Sequence, residues 1–299
     1  MPLRLRIILS LILVGIAASP VARAAELVVR VVSQTVGTDE LLLALAEPEQ
    51  VAALSHLATA AEYSVVASEA AAYPRITTGD SEAILRHRPT LVLFADYSRA
   101  ELVAQVRRAG VSVLVFDHYA TLADVYANLR TLGRALGGGA PQRAETLIRR
   151  CGIRMSALRE KLRGVRPVKV VSGTTYGLVS GEGTTFQDLC DHAGAENLAT
   201  TLGGLSGHAP EPTEKMLGWP VEQLVVGLDA DSPGTADNGP EARERALEPL
   251  RKIPPYMFMA AVKEGRAVVL PAAYLGCVSH CRIDAYEALA KALHPEAMK

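Results

Sequence analysis

The sequence predicts an α/β protein in which two α/β lobes with parallel-type sheets are joined by one long rigid helix. Short apolar, β-branched runs alternate with helical patterns in the first half of the chain. The glycine triplet 137–139 interrupts this alternation and precedes one long amphipathic stripe. The alternation then starts again. The 299 residues are enough for two such domains.

The first two dozen residues have the composition of a secretory signal peptide. Arg4 and Arg6 form a basic start, and residues 7–17 form an apolar run. This run is shorter than the about 20 residues that a membrane-spanning helix needs. We therefore predict a signal peptide over 1–24, export, and a mature chain that begins near Ala25.

The first lobe is predicted over 25–139. We predict its strands at 27–33, 51–54, 90–95 and 111–116, and its helices at 38–45, 81–86, 99–109 and 122–136. Right-handed crossovers place the helices on both faces of a parallel sheet. Ligands then bind beyond the carboxyl ends of the strands.

The bridging helix is predicted over 140–165, with Pro141 in its first turn. Its apolar stripe runs to Leu162 and implies a length of roughly 33 Å. Gly152 is its weak point, at a cost of about 1 kcal/mol relative to Ala. The second lobe follows over 166–299, with strands at 168–172, 224–228 and 267–270 and helices at 185–193, 213–217, 241–250 and 283–293.

Net charge and cysteine content limit the possible partners and the possible disulfides. The net charge of −1, without a basic stripe, argues against a nucleic-acid partner. The four cysteines of an exported chain are disulfide candidates. Cys277 and Cys281 are close enough to pair through a loop, whereas Cys151 and Cys190 would tie one helix to another.

Several short sequences, taken in order and spacing, resemble one family. They are GTDE at 37–40, YP at 73–74, EAIL at 82–85, RPTLVL at 88–93, AGAENL at 193–198, TEKML at 213–217, KEGRAVVLP at 263–271 and DAYE at 284–287. The chain resembles the periplasmic binding proteins of ABC importers for iron-siderophores, heme and cobalamin. The resemblance implies a periplasmic monomer without an intrinsic cofactor. It also implies that the protein is not an enzyme, and that it carries a metal chelate to a membrane permease.

Two acidic residues lie at matching places in the two halves. Glu82 and Glu214 each fall in the first turn of a short helix that precedes a strand. Each could simply complement a helix dipole, which is worth a few tenths of a kcal/mol. In the family that the chain resembles, acids at this place dock onto the permease, and we adopt that role as a hypothesis.

The chelate is expected among loops that follow the strands and face across the cleft. Tyrosine offers apolar area and a hydroxyl, and Tyr or His can ligate iron axially. His56 and Asp96 lie in these loops. The principal candidates are Gln34, Thr35, Tyr73, Tyr97, His118, Tyr119, Tyr176, Tyr274, His280 and Arg282.

The segment 274–282 allows two interpretations. We predict a Cys277–Cys281 disulfide that presents His280 and Arg282 to an anionic ligand. Alternatively, His280 and a neighbouring thiolate hold a metal directly.

The identity of the chelate is less defined than its class. Ala70 and Ile76 stand where the family's cobalamin binders carry aromatic residues, which weakens that assignment. A binder of bare Zn or Mn ions, a chelatase-like enzyme and a periplasmic sensor remain as alternatives. Because a packed helix between lobes resists bending, we expect little hinge motion on binding.

Overall fold

The computed structural model describes residues 28–228 and 238–299. The predicted signal peptide, 1–24, lies outside these residues. No helix within the described ranges is both long and apolar enough to cross a membrane.

The first lobe contains a four-stranded parallel sheet in the order β2-β1-β3-β4. Its strands are β1 Val31–Ser33, β2 Val51–Ala53, β3 Leu91–Ala95 and β4 Ser112–Phe116. Its helices are α1 Val36–Leu45, α2 Ala67–Ala70, α3 Ser81–Leu85, α4 Ala100–Arg108 and α5 Leu122–Leu136. Every residue of the central strand β3 is buried, because helices cover both faces of a parallel sheet.

The bridging helix is α6, Ala140–Lys161, with 22 residues. Gly137 and Gly138 have positive φ values of 70° and 53°, which lets the chain turn sharply from α5 into α6. The amphipathic stripe predicted from the sequence is realised, since Ala144, Cys151, Met155 and Leu158 are buried on one face. The helix ends four residues before the predicted limit, with Leu162 as its C-cap.

The second lobe contains a parallel sheet in the order β10-β9-β5-β7 and a separate antiparallel pair, β6-β8. Its strands are β5 Val168–Gly173, β6 Leu178–Ser180, β7 Ala195–Asn197, β8 His208–Pro210, β9 Gln223–Leu228 and β10 Ala267–Pro271. Its helices are α7 Thr185–Ala193, α8 Leu198–Thr201, α9 Thr213–Met216, α10 Pro240–Leu247, α11 Ala260–Lys263, α12 Ala272–Leu275 and α13 Arg282–Leu293. The strands β6, β7 and β8 were not predicted, because three residues of mixed polarity do not produce a periodic pattern.

The two lobes repeat one topology. Strands β1, β2, β3 and β4 correspond in sheet order to β5, β7, β9 and β10. The helices that follow the first strands also correspond: Thr35 caps α1 and Thr184 caps α7. As a result α3 and α9, which precede the central strands β3 and β9, occupy equivalent places in the two lobes.

A single apolar core continues from one lobe into the other. It includes Val31 and Leu132 of the first lobe, Met155 of α6, and Val170 and Tyr286 of the second lobe. The buried face of the bridging helix therefore packs against both lobes.

Candidate functional site

A cavity of about 560 Å³ lies between the lobes, where the carboxyl ends of the parallel strands meet. This is the edge at which open α/β sheets bind ligands. The volume falls in the range of small-molecule sites. Its lining includes Gln34, Thr35, Val36, Gly37, Glu40, Ser55, His56, Leu57, Glu62, Tyr63, Tyr97, Ser98, Arg99, Leu102, Tyr176, Ala272, Ala273, Gly276 and Val278.

The turn between β1 and α1 places the first polar groups in the cleft. The Thr35 hydroxyl accepts a hydrogen bond from the Thr38 backbone N–H and caps α1. The side-chain oxygen of Gln34 accepts a hydrogen bond from the Ser98 hydroxyl at 2.7 Å. The turn after β3 therefore holds the Gln34 amide in place before any ligand arrives.

Three exposed tyrosines dominate the cleft. Tyr63, Tyr97 and Tyr176 expose 52%, 63% and 85% of their surfaces and share one cavity. Tyr63 and Tyr97 belong to the first lobe and Tyr176 to the second, so they approach the cavity from both sides. They offer apolar area together with phenolic oxygens.

The lobes differ in the charge that they bring to the cavity. Arg99, His56, Glu40 and Glu62 all come from the first lobe. Burial raises the pKa of the Glu40 carboxyl above its usual value. The second lobe lines the cavity with Tyr176 and with small or apolar residues of the segment 272–278. Of the lining residues in the described ranges, Arg99 is the single arginine or lysine.

Four predicted ligand residues line this cavity: Gln34, Thr35, Tyr97 and Tyr176. Tyr119 stands directly behind Tyr97, with ring centroids 6.1 Å apart in a T-shaped arrangement.

The other candidates lie elsewhere. His118 is exposed and bonded to its neighbour Asp117 at 2.7 Å, which raises the pKa of the imidazole. Tyr73 is half-buried and packs against the main apolar core. Tyr274 lines a different groove, between α6 and α13.

The structure corrects the interpretation of Arg282. Its side chain was expected in the cleft, but it is 2% exposed. Its guanidinium donates hydrogen bonds to the carbonyls of Tyr119, Ala120 and Cys277 and pairs with Asp188. All three of its nitrogens are engaged inside the protein, so the group is not presented to a cleft ligand.

The predicted Cys277–Cys281 disulfide is also not formed, and Cys151 and Cys190 are likewise free thiols. The Cys277 thiol instead donates a hydrogen bond to the Glu40 carboxylate at 3.5 Å. His280 Nε2 lies 3.7 Å from Cys281 Sγ, and burial lowers the pKa of the imidazole. Within the described residues, no group of three or more His, Cys, Asp or Glu side chains is arranged to hold a metal ion.

Sequence reasoning missed several lining residues. Tyr63 and Glu62 lie in the long connection after β2, where no regular element was predicted, and Arg99 stands at the N-cap of α4. Arg99 and Tyr97 share the turn after β3, so the rule that ligands meet strand ends could have identified Arg99.

The two docking candidates occupy the equivalent helices α3 and α9. Asp80 caps α3, and Glu82 lies in its first turn, exposed and 3.5 Å from Arg86. Glu214 is exposed in the first turn of α9, whose first helical residue is Thr213. Both carboxylates are therefore available on the surface at matching places in the repeat.

Known proteins agree with this architecture. The family model described as periplasmic binding protein matches residues 31–274. The apo form of the periplasmic heme-binding protein RhuT from Roseiflexus sp. RS-1 is 25% identical over 91% of this chain and 99% of its own, with a TM-score of 0.73. No curated protein sequence matches the chain.

Two further structures are similar in fold. A periplasmic heme-binding protein from Pseudomonas aeruginosa is 24% identical over 89% of this chain and 93% of its own, with a TM-score of 0.69. The heme-binding protein HutB of Vibrio cholerae is 21% identical over 89% and 99%, with a TM-score of 0.70. Because the family model spans most of the chain and the helix-bridged two-lobed fold is the same, this chain belongs to the periplasmic binding protein family.

Proposed function

We propose that this protein binds a metal chelate in the interlobe cleft, in the periplasm, and delivers it to the permease of an ABC importer. Heme is the ligand that we favour. The observation that carries the proposal is the group of three exposed tyrosines around one cavity of about 560 Å³ between the lobes. The likeness to heme-binding proteins, at 25% identity for RhuT, supports the same choice.

The chemistry of the two walls fits a flat, largely apolar ligand. The segment 272–278 of the second lobe offers a surface of small and apolar side chains. A phenolate from the opposite wall is an established type of axial ligand for heme iron. Arg99 can pair with one carboxylate at the ligand's edge.

The charge of the cleft argues against a strongly anionic siderophore. Glu62 and Glu40 share the cavity with the single guanidinium of Arg99. A ligand with several negative charges would find too few cations to replace its lost hydration. Ligands with small net charge, such as heme, a corrinoid or a neutral ferric siderophore, avoid this cost.

An absorption titration tests the ligand. We expect hemin to produce a shifted Soret band with a one-to-one endpoint, and cyanocobalamin and ferric enterobactin to bind more weakly. A protein that ignores all chelates but takes up zinc would contradict the proposal and favour the bare-metal alternative.

Tyrosine-to-phenylalanine variants identify the axial group. Tyr63, Tyr97, Tyr176 and the sequence-based candidate Tyr73 are each changed to Phe, and one change should alter the Soret spectrum. Tyr126→Phe is the matched control, because the Tyr126 hydroxyl has no hydrogen-bond partner among the described residues and belongs to helix α5. Unchanged spectra in all four variants would exclude tyrosine ligation from these positions.

Delivery is tested at Glu82 and Glu214. We expect Glu82→Lys with Glu214→Lys to abolish uptake by the reconstituted importer while chelate binding stays intact. Glu101 and Glu241 are exposed first-turn acids of α4 and α10, so their reversal controls for the loss of a favourable helix-dipole contact. Equal uptake losses in both double variants would mean that docking is not specific to Glu82 and Glu214.

A further inference from the structure

The guanidinium of Arg282 connects the two lobes from a buried position. Arg282 is the first residue of α13 in the second lobe and is 2% exposed. Its Nη1 donates to the carbonyl of Ala120 at 3.0 Å, and its Nη2 donates to the carbonyl of Tyr119 at 2.9 Å. Both carbonyls belong to the first-lobe loop between β4 and α5.

The second lobe also binds the same guanidinium through hydrogen bonds. Asp188 of α7 accepts from Nη1 at 3.0 Å and also accepts from the Tyr286 hydroxyl. The carbonyl of Cys277 accepts from Nε and Nη2 at 3.3 and 3.0 Å. Asp188 further accepts the backbone N–H of Leu122, at 3.4 Å, where the first-lobe helix α5 begins. We call Arg282, Asp188 and the loop 119–122 the interlobe clamp.

The loop 119–122 of this clamp also contacts the residues that line the cleft. The Tyr119 ring packs edge-on against Tyr97, and the Tyr119 hydroxyl donates to Asp96 at 2.9 Å. Tyr97 lines the cavity. Tyr97 is 63% exposed, and its contacts include the edge-on ring of Tyr119 and a hydrogen bond with the Thr35 side chain. A direct chain of contacts therefore runs from Arg282 through Tyr119 to Tyr97.

We propose that Arg282 is a positioning residue for ligand binding, which sets the place of Tyr97 in the cleft through the loop 119–122. This inference rests on the proposed function, since it concerns the same cleft. Arg282 touches no ligand in this role. A guanidinium suits this role, because its planar set of N–H donors binds three carbonyls and a carboxylate at once here.

A double-mutant cycle tests the route of this effect. Arg282→Met removes the clamp and Tyr119→Ala removes the support of Tyr97. We expect each to raise the Kd for hemin by about tenfold, the loss typical of one charge-assisted hydrogen bond. The double variant should bind hemin no more weakly than the weaker-binding single variant, because both changes break one chain of contacts. Additive losses would overturn the proposal.

Two comparisons separate positioning from direct contact and from general destabilisation. If Arg282 paired with a ligand carboxylate, Arg282→Met would weaken the binding of hemin but not of hemin dimethyl ester. If Arg282 is a positioning residue, the change weakens the binding of both ligands equally. Arg154→Met is the matched control: Arg154 bonds Asp284 and Glu287 of the same helix α13, but lies in the groove behind it. Its hemin affinity should stay within about twofold of the unmodified protein.

Hydrogen exchange gives a readout that needs no ligand. The amides of 119–122 should exchange faster in Arg282→Met than in Arg154→Met, because the loop loses its anchor. Equal exchange rates in the two variants would overturn the proposal that Arg282 anchors the loop 119–122. If Arg282→Met does not fold, Arg282→Lys replaces it, with partial loss expected because an ammonium lacks the planar fork. Failure of the unmodified protein to bind hemin would refute heme as the ligand but leave this exchange test intact.

Discussion

At the residue scale, one acidic position of the repeat serves two different purposes. Asp39 and Asp188 each lie four residues after the threonine that caps α1 or α7. Asp188 meets the guanidinium of Arg282 at 3.0 Å. Asp39 meets no cation in the described structure, and accepts hydrogen bonds from the Ser55 backbone N–H and hydroxyl at 2.9 and 2.5 Å. The same position therefore carries a paired charge in one lobe and a buried carboxyl without a counter-ion in the other.

This difference predicts that the free energy of unfolding depends on pH through Asp39. Burial raises the pKa of Asp39 from 3.8 to about 7, although the hydrogen bonds from Ser33 and Ser55 oppose the shift. The folded state thus holds a proton on Asp39 that the unfolded state releases. The contribution of this carboxyl to the free energy of unfolding is therefore fully present below pH 3.8 and is lost as the pH rises through about 7. Asp39→Asn, an isostere without a charge, should remove up to about 1.4 kcal/mol per pH unit of this slope. Urea unfolding at pH 5, 6 and 7 measures it, and parallel slopes for the two proteins would refute the assignment.

At the element scale, helix α1 begins against the second lobe. A Cβ at Gly37 would lie 2.2 Å from Val278 Cγ2, and Val is stiff about χ1. Gly37→Ala should therefore push apart the segments that line the cleft, at a cost of about 1–3 kcal/mol. We expect a lower Tm and a weaker hemin affinity. Unchanged values of both would mean that the segment around Val278 moves freely.

In the bridging helix, by contrast, replacing a glycine with alanine should stabilise the protein. Gly152 lies inside α6, and a Cβ there would meet nothing within 4 Å. Gly152→Ala should stabilise the protein by about 1 kcal/mol, because alanine has the better helix propensity. Calorimetry should show a rise in Tm of about 2–4 °C with unchanged hemin affinity. A fall in Tm would show that α6 needs the glycine for a reason outside its local packing.

These elements also show what the sequence could predict. The glycine triplet and the stripe from Ala144 to Leu158 predicted α6, because a 3.6-residue period over 22 residues is hard to mistake. The strand-end rule brought Gln34, Thr35, Tyr97 and Tyr176 to the cleft correctly. It failed for Arg282, because a periodic pattern does not reveal that a buried charge has a partner 94 positions away in the chain.

At the scale of the whole molecule, three features resist movement between the lobes. The apolar core is continuous through α6, the Arg282–Asp188 pair of the interlobe clamp is buried, and Glu40 of the first lobe accepts a hydrogen bond from Cys277 of the second. Opening the cleft would expose apolar surface and unpair a buried charge, and both changes cost free energy. The lobes should therefore stay close to one arrangement with and without ligand.

Small-angle scattering tests this rigidity. A compact chain of the mature length has a radius of gyration of about 19 Å, and we expect hemin to change it by less than about 1 Å. Arg282→Met should show the larger change on binding, because its lobes lack the clamp that holds them before the ligand arrives. The two proteins are measured under the same conditions with Arg154→Met as the control. A contraction in the unmodified protein as large as that in Arg282→Met would contradict a preformed cleft, and would mean that ligand binding itself brings the lobes together.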